Sequence, residues 1–149
     1  METVKKIIDG TLYTVVAFIF NDENQILMFD RKGEAWETGW EPIKGAIHTG
    51  ETEEEALLRE IEEEAGVNVK VLKKLTDHFF AQKPLKDGSK LEVNNACFVC
   101  AYIDGEIHLG EEEHIGYKWM TLEEAKEKIW IPNSKPSLEQ AFEAYTKWN

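Results

Sequence analysis

Three glutamates, Glu60, Glu63 and Glu64, stand at i, i+3 and i+4 in the run Leu57-Leu58-Arg59-Glu60-Ile61-Glu62-Glu63-Glu64-Ala65-Gly66. On a helix these spacings share one face, leaving Leu57, Leu58, Ile61 and Ala65 to face the core. Like charges so placed repel by about 0.2–0.5 kcal/mol per pair, and Arg59, four residues before Glu63, is the nearby cation. From Glu51 to Glu64 the chain carries eight Glu and one Arg, a local charge of −7 within a net −12. A divalent cation would remove the repulsion. Hard carboxylate oxygens suit Mg2+, with Mn2+ as the alternative, and both ions complete their shells with waters and phosphate oxygens. The plain alternative is a solvated acidic face, the better reading for an arbitrary Glu-rich helix.

The elements around this cluster can be read from the pattern. Thr52 and Glu55 form a capping box that opens the helix, and Gly66 closes it as the residue after the C-cap. Residues 12–20 and 26–29 are apolar and β-prone, with turn chemistry at 21–24, and predict a hairpin. A loop with Trp36 and Trp40 precedes the helix. Residues 67–72 and 78–81 read as short strands, 82–90 as a polar loop, 91–103 as a long strand, and 116–120 as another after the acidic stretch Gly110–Glu113. Thr121 with Glu124 reads as a second capping box, and Pro136 suits the first turn of a last helix. With no repeat or linker, residues 1–149 read as one α/β domain, a sandwich of helices on both faces of a mixed sheet.

Composition narrows the function. A net charge of −12 would be repelled by a phosphate backbone, so no nucleic-acid partner is expected. The absence of an apolar h-region at the start, and of any apolar run near the ~18 residues needed to span a bilayer, predicts a cytoplasmic protein with no membrane partner. Cys97 and Cys100 lie in an apolar strand pattern that turns them to opposite faces, as buried free thiols. His48, His78, His108 and His114 show no ligand spacing and read as surface or strand residues.

What decides between a metal site and a solvated face is the spacing around the cluster. From Gly45 the chain reads G-A-I-H-T-G-E-T-E-E-E-A-L-L-R-E-I-E-E-E-A-G-V. This resembles the Nudix box: Gly, five residues, Glu, seven residues, then R-E-U-x-E-E-x-G-U with U aliphatic. Gly45, Glu51, Arg59, Glu60, Ile61, Glu63, Glu64, Gly66 and Val67 match all nine fixed positions. The approach Trp40-Glu41-Pro42-Ile43-Lys44-Gly45 and residues 113–120 are similar to the family as well, so the resemblance covers most of the chain.

The resemblance implies a Nudix-type α/β/α sandwich and Mg2+-dependent hydrolysis of a phosphoanhydride bond. Glu60, Glu63 and Glu64 would bind the metal with a backbone carbonyl near Lys44 or Gly45. Arg59 would orient the carboxylates, Glu51 would support Arg59 or a metal-bound water, and Glu113 would add a ligand or act as general base. Glu63, Glu64 and Glu113 remain equal candidates for that base.

The resemblance implies a small phosphoanhydride compound as substrate, with a monomer or homodimer both open. Residues 130–142 are similar to the tail of the dATP and dihydroneopterin triphosphate pyrophosphohydrolase branch, with Asn133, Ser134 and Lys135 reaching phosphate oxygens or capping the last helix. Lys44 would place a cation by the phosphate chain, as in some diadenosine tetraphosphate hydrolases, or is a solvated loop residue. Trp36, Trp40 and Phe80 would stack on a base or simply pack. Trp119 reads as core, and Trp130 and Trp148 as anchors of the C-terminal helices. The leading expectation is a nucleoside triphosphate pyrophosphohydrolase. The alternatives are a dinucleoside polyphosphate hydrolase and a nucleotide-sensing domain without catalysis.

Overall fold

The computed structural model describes residues 4–31, 39–110 and 114–148. Trp36 and the acidic candidates Glu111, Glu112 and Glu113 lie outside the described residues. In chain order the elements are β1 (Ile7–Ile8), β2 (Thr11–Phe20), β3 (Ile26–Arg31), β4 (Gly39–Glu41), β5 (Ile43–Ala46), α1 (Glu53–Glu64), β6 (Asn68–Lys74), β7 (Phe79–Pro84), β8 (Lys90–Asp104), β9 (His114–Met120), α2 (Leu122–Lys128) and α3 (Lys135–Trp148). Among the described residues no helix is long and apolar enough to cross a membrane.

An unbroken apolar run, Val15 to Phe20, suits a strand covered on both faces, and β2 is the central strand. It pairs in parallel with β8 from Thr11↔Glu92 to Phe20↔Ala101 and antiparallel with β5 from Thr14↔Ala46 to Ala17↔Ile43. The sheet is mixed, as the sequence predicts. The predicted hairpin exists at its turn alone. β3 meets β2 at Phe20↔Ile26 and then pairs with β4 and β9, because β5 occupies the edge such a ladder would need. The turn is held by the Asn21 side chain, which accepts the backbone N–H groups of Glu23 and Gln25 at 3.0 Å. Asn24 sits in the left-handed region at φ 59°, which asparagine tolerates. β7 runs on to Pro84, opposite Lys90, so the two ends of the predicted 82–90 loop are ladder and 85–89 forms the turn.

Alternation along β2 splits the core. Val16, Phe18 and Phe20 pack with Leu138, Ala141 and Tyr145 of α3, while Val15, Ala17 and Ile19 pack with Ala56, Leu57 and Ile61 of α1. Cys97 and Cys100 fall in opposite clusters as free, buried thiols. Three packing expectations need correction. Leu58 is 47% exposed and Trp148 56% exposed, and the Thr121 box is half made. Thr121 accepts the Glu124 N–H, but the Glu124 carboxylate pairs with Lys118 and Lys128 rather than returning to the cap. Leu58 has a geometric cause. At about 100° per residue the buried stripe of α1 is Ala56, Leu57, Glu60 and Ile61, displaced toward the glutamates and away from Leu58.

Both ends of α1 are fixed. At its start the Thr52 hydroxyl accepts the Glu55 N–H while Glu55 accepts the Thr52 N–H, a complete capping box. At its end Gly66, at φ 67°, donates to the Ile61 carbonyl, the left-handed step that glycine makes without strain. The loop leading into α1 is tied by Glu51, which accepts the His48 N–H at 2.7 Å and takes Arg59 on both oxygens, at 2.7 and 2.9 Å. The bidentate hydrogen bond from Arg59 is the main reason the Glu51 carboxyl is lowered from 4.5 to about 2.

Two tests follow from this frame. Leu57→Ala should cost about 2–5 kcal/mol in denaturant unfolding, whereas Leu58→Ala should stay within about 0.5 kcal/mol of the parent. A depressed folded-state pKa contributes stability that is full above pH 4.5 and is lost as pH falls toward 2. Glu51→Gln should therefore lower the melting temperature at pH 7, with the gap to the parent closing as melts are repeated at falling pH below about 4.5.

Candidate active site

β5 carries Lys44 and Gly45 alongside Val16 and Val15 of β2, and α1 lies across it. The meeting point is Glu60 on Gly45. A Cβ on Gly45 would stand 2.1 Å from Glu60 Cδ and as close to both carboxylate oxygens, so only glycine lets this carboxylate lie on the strand. The Glu60 side chain is 10% exposed, Glu64 12% and Glu63 58%. Burial, offset by the Arg59 hydrogen bond and reinforced by the charges of Glu63 and Glu64, raises the Glu60 carboxyl to about 7.

Arg59 is the hub of this side. Its Nη1 donates to Glu60 Oε1 at 2.8 Å and lies 3.4 Å from Glu63 Oε2, its Nη2 donates to the Ala46 carbonyl at 2.9 Å, and Glu51 takes the rest of the fork. Among the described residues the guanidinium thus bonds to β5, its following loop and α1. It aligns carboxylates, and its donors are already spent on them.

A second polar centre, absent from the sequence reading, lies on the other side. Glu41 on β4 and His114 on β9 are both buried, with Glu41 Oε2 and His114 Nε2 2.9 Å apart. Glu41 Oε1 accepts from Trp130 Nε1 at 2.8 Å and Arg31 Nη1 at 3.2 Å. His114 Nδ1 stands 2.9 Å from Glu64 Oε2, an ion-pair contact short of a well-aligned hydrogen bond. Burial alone would lower the imidazole pKa, but Glu41 and Glu64 outweigh it and hold the ring charged, with the pKa well above its usual value. Burial would raise Glu41, but His114, the charge of Lys44 and the Trp130 and Arg31 contacts hold it ionised. No sequence spacing could have found His114, because its partners stand 73 and 50 positions away and on different elements.

The remaining candidates disperse. Lys44 is close enough to Glu41 to lower its pKa. Trp40 packs against the α3-side cluster, and its carbonyl accepts the Trp130 N–H. Lys135 is the exposed first residue of α3. Phe80, 56% exposed, borders an open cleft of about 690 Å³ between β7 and the start of α3, with His78, Phe79, Asn133 and Pro136.

Among the described residues no three acidic, histidine or cysteine side chains already converge as a preformed metal cage. Glu60 and Glu63 face Arg59, and Glu64 faces His114. The residues nonetheless fit a hard divalent cation. The Gly45 cradle places a buried carboxylate against the strand backbone, the Glu60, Glu63 and Glu64 side chains offer oxygen donors, and burial holds the Glu60 carboxyl above its usual range, a cost that a bound cation would relieve.

Solved structures share this architecture. The chain is similar to a MutT protein from Methanosarcina mazei Go1, with 21% identity, a TM-score of 0.71 and coverage of 95% of this chain and 99% of that one. It is also similar to a C. elegans Ap4A hydrolase, with 21% identity, a TM-score of 0.70 and coverage of 93% and 99%. An E. coli dihydroneopterin triphosphate pyrophosphohydrolase gives 18% identity, a TM-score of 0.69 and coverage of 93% and 97%. At such identities the likeness establishes the fold. The family model of the NUDIX domain matches residues 10–141, the span from the first long strand to the middle of α3, and the chain therefore belongs to the Nudix hydrolase family.

Proposed function

We propose that this chain uses Mg2+ to hydrolyse a nucleoside triphosphate or a similar small triphosphate, releasing a monophosphate and pyrophosphate. The observation that carries the metal-dependent reading is the Glu60 carboxylate buried on Gly45 with Glu63 and Glu64 beside it on one helix. Glu60, Glu63, Glu64 and the Gly45 carbonyl would hold the ion. When bound, it would neutralise phosphate oxygens, lower the pKa of water and stabilise the leaving oxygen.

The protein's own part is positioning and proton handling. Arg59 locks the ligand carboxylates to β5 and stays charged at every working pH, since its hydrogen bond to Glu51, offset by burial and reinforced by Glu60, raises its pKa further. Water adds to phosphorus as the P–O–P bridge breaks, and a carboxylate takes its proton. Glu63, Glu64 and Glu113 are the candidates for that step. Lys44 supports a second reading, a dinucleoside polyphosphate hydrolase, because its ammonium acts on Glu41 next to the cluster and a longer phosphate chain would draw on an additional cation.

Product analysis with dATP, diadenosine tetraphosphate and a sugar nucleotide, with and without Mg2+, separates these readings. The expected result is Mg2+-dependent release of pyrophosphate and monophosphate from the triphosphate. Turnover confined to the sugar nucleotide would defeat both. Glu64→Gln should reduce turnover by about 10²–10⁴-fold, and an unchanged rate would favour a domain that senses nucleotides without cleaving them. Gly45→Ala should displace the Glu60 carboxylate, and calorimetry should record weakened Mg2+ binding in a protein that still melts cooperatively.

A further inference from the structure

We infer that His114 is a positioning residue that fixes the orientation of the Glu64 carboxylate and thereby sets the divalent-cation affinity of the α1 face. The inference rests on the cation-binding role proposed for Glu64. The imidazole has little freedom. Its side chain is 1% exposed, and its ring lies 4.9 Å from the Phe29 ring. Its Nε2 is held by Glu41, which is itself clamped by Trp130 and Arg31. The Arg31 guanidinium lies over the Trp130 ring at 5.1 Å, so β3, β4, β9 and the segment between α2 and α3 all fix one ring.

With Nε2 committed to Glu41, Nδ1 stands in ion-pair contact with Glu64 Oε2, 2.9 Å away. The backbone at Glu64 is pinned as well, because its carbonyl accepts the Gly110 N–H at 3.1 Å. Gly110 approaches so closely that a Cβ there would stand 2.3 Å from the Glu63 carbonyl oxygen. One carboxylate oxygen turned to a rigid imidazole leaves the other to face the ion in a defined orientation. Outer partners that orient a ligand in this way typically govern about 10–100-fold in metal affinity.

The two ring nitrogens can be replaced separately. The amide nitrogen of asparagine reaches the Nδ1 position and that of glutamine the Nε2 position. His114→Asn keeps a donor for Glu64, and His114→Gln keeps one for Glu41. Mn2+ titrations of the full chain, read by the electron paramagnetic resonance of free Mn2+, should show about a 10–100-fold loss for His114→Gln and a smaller loss for His114→Asn, which keeps the donor to Glu64 but gives up the Glu41 clamp. Glu41→Gln, which touches none of the α1 carboxylates, should also weaken Mn2+ binding and provides the measurement if the histidine variants do not fold. Equal affinities in the Asn and Gln variants, or parental affinity in Glu41→Gln, would overturn the inference. A parent protein that binds no Mn2+ would instead overturn the proposed function on which it rests.

Discussion

The site depends on one close approach, a glutamate carboxylate lying on the backbone of a strand. Glu60 can occupy that position only because Gly45 has no side chain, and burying the charge there demands a fixed counter-charge. Arg59 supplies it, and its remaining donors reach Ala46 and Glu51, so the same guanidinium closes the loop between β5 and α1. β5 is in turn held at the edge of β2, which excludes β3 from that edge and sends it toward β4 and β9. The position of the acidic helix and the course of the sheet thus meet at one strand, β5.

The Glu41–His114 pair is the counterpart on the far side of the carboxylates. Two buried ionisable groups in contact are costly to desolvate unless their other atoms are satisfied. Here Trp130, Arg31, Lys44 and Glu64 supply the compensating contacts. The consequence is mechanical. The segment between α2 and α3, which borders the cleft with Phe80 and Asn133, connects through Trp130, Glu41 and His114 to Glu64. A rigid polar relay therefore joins the C-terminal part of the chain to the helix that carries the acidic cluster.

The elements were legible where local rules dominate. Thr52, Glu55 and Gly66 delimit α1 because capping depends on neighbours within one turn, and the apolar run 15–20 marks a buried strand wherever it pairs. The failures were of a different kind. Helical spacing places Leu58 inward, yet the buried stripe of α1 is rotated toward Glu60, which packs on Gly45. The polar residues 82–90 read as loop, but pairing between β7 and β8 draws both ends of the segment into a ladder and leaves 85–89 as the turn.

The amino-acid sequence alone determined the Nudix spacing from Gly45 to Val67, the mixed sandwich and the acidic helix face. These are encoded in residue types a few positions apart, where helix and turn geometry fix the outcome. Tertiary structure alone decided how that face is held: Glu60 against Gly45, Glu51 across to Arg59, and His114 between Glu41 and Glu64. Such partners come from separate strands and helices, and a buried histidine at a strand start carries no local signal of the carboxylates that folding brings to its two nitrogens.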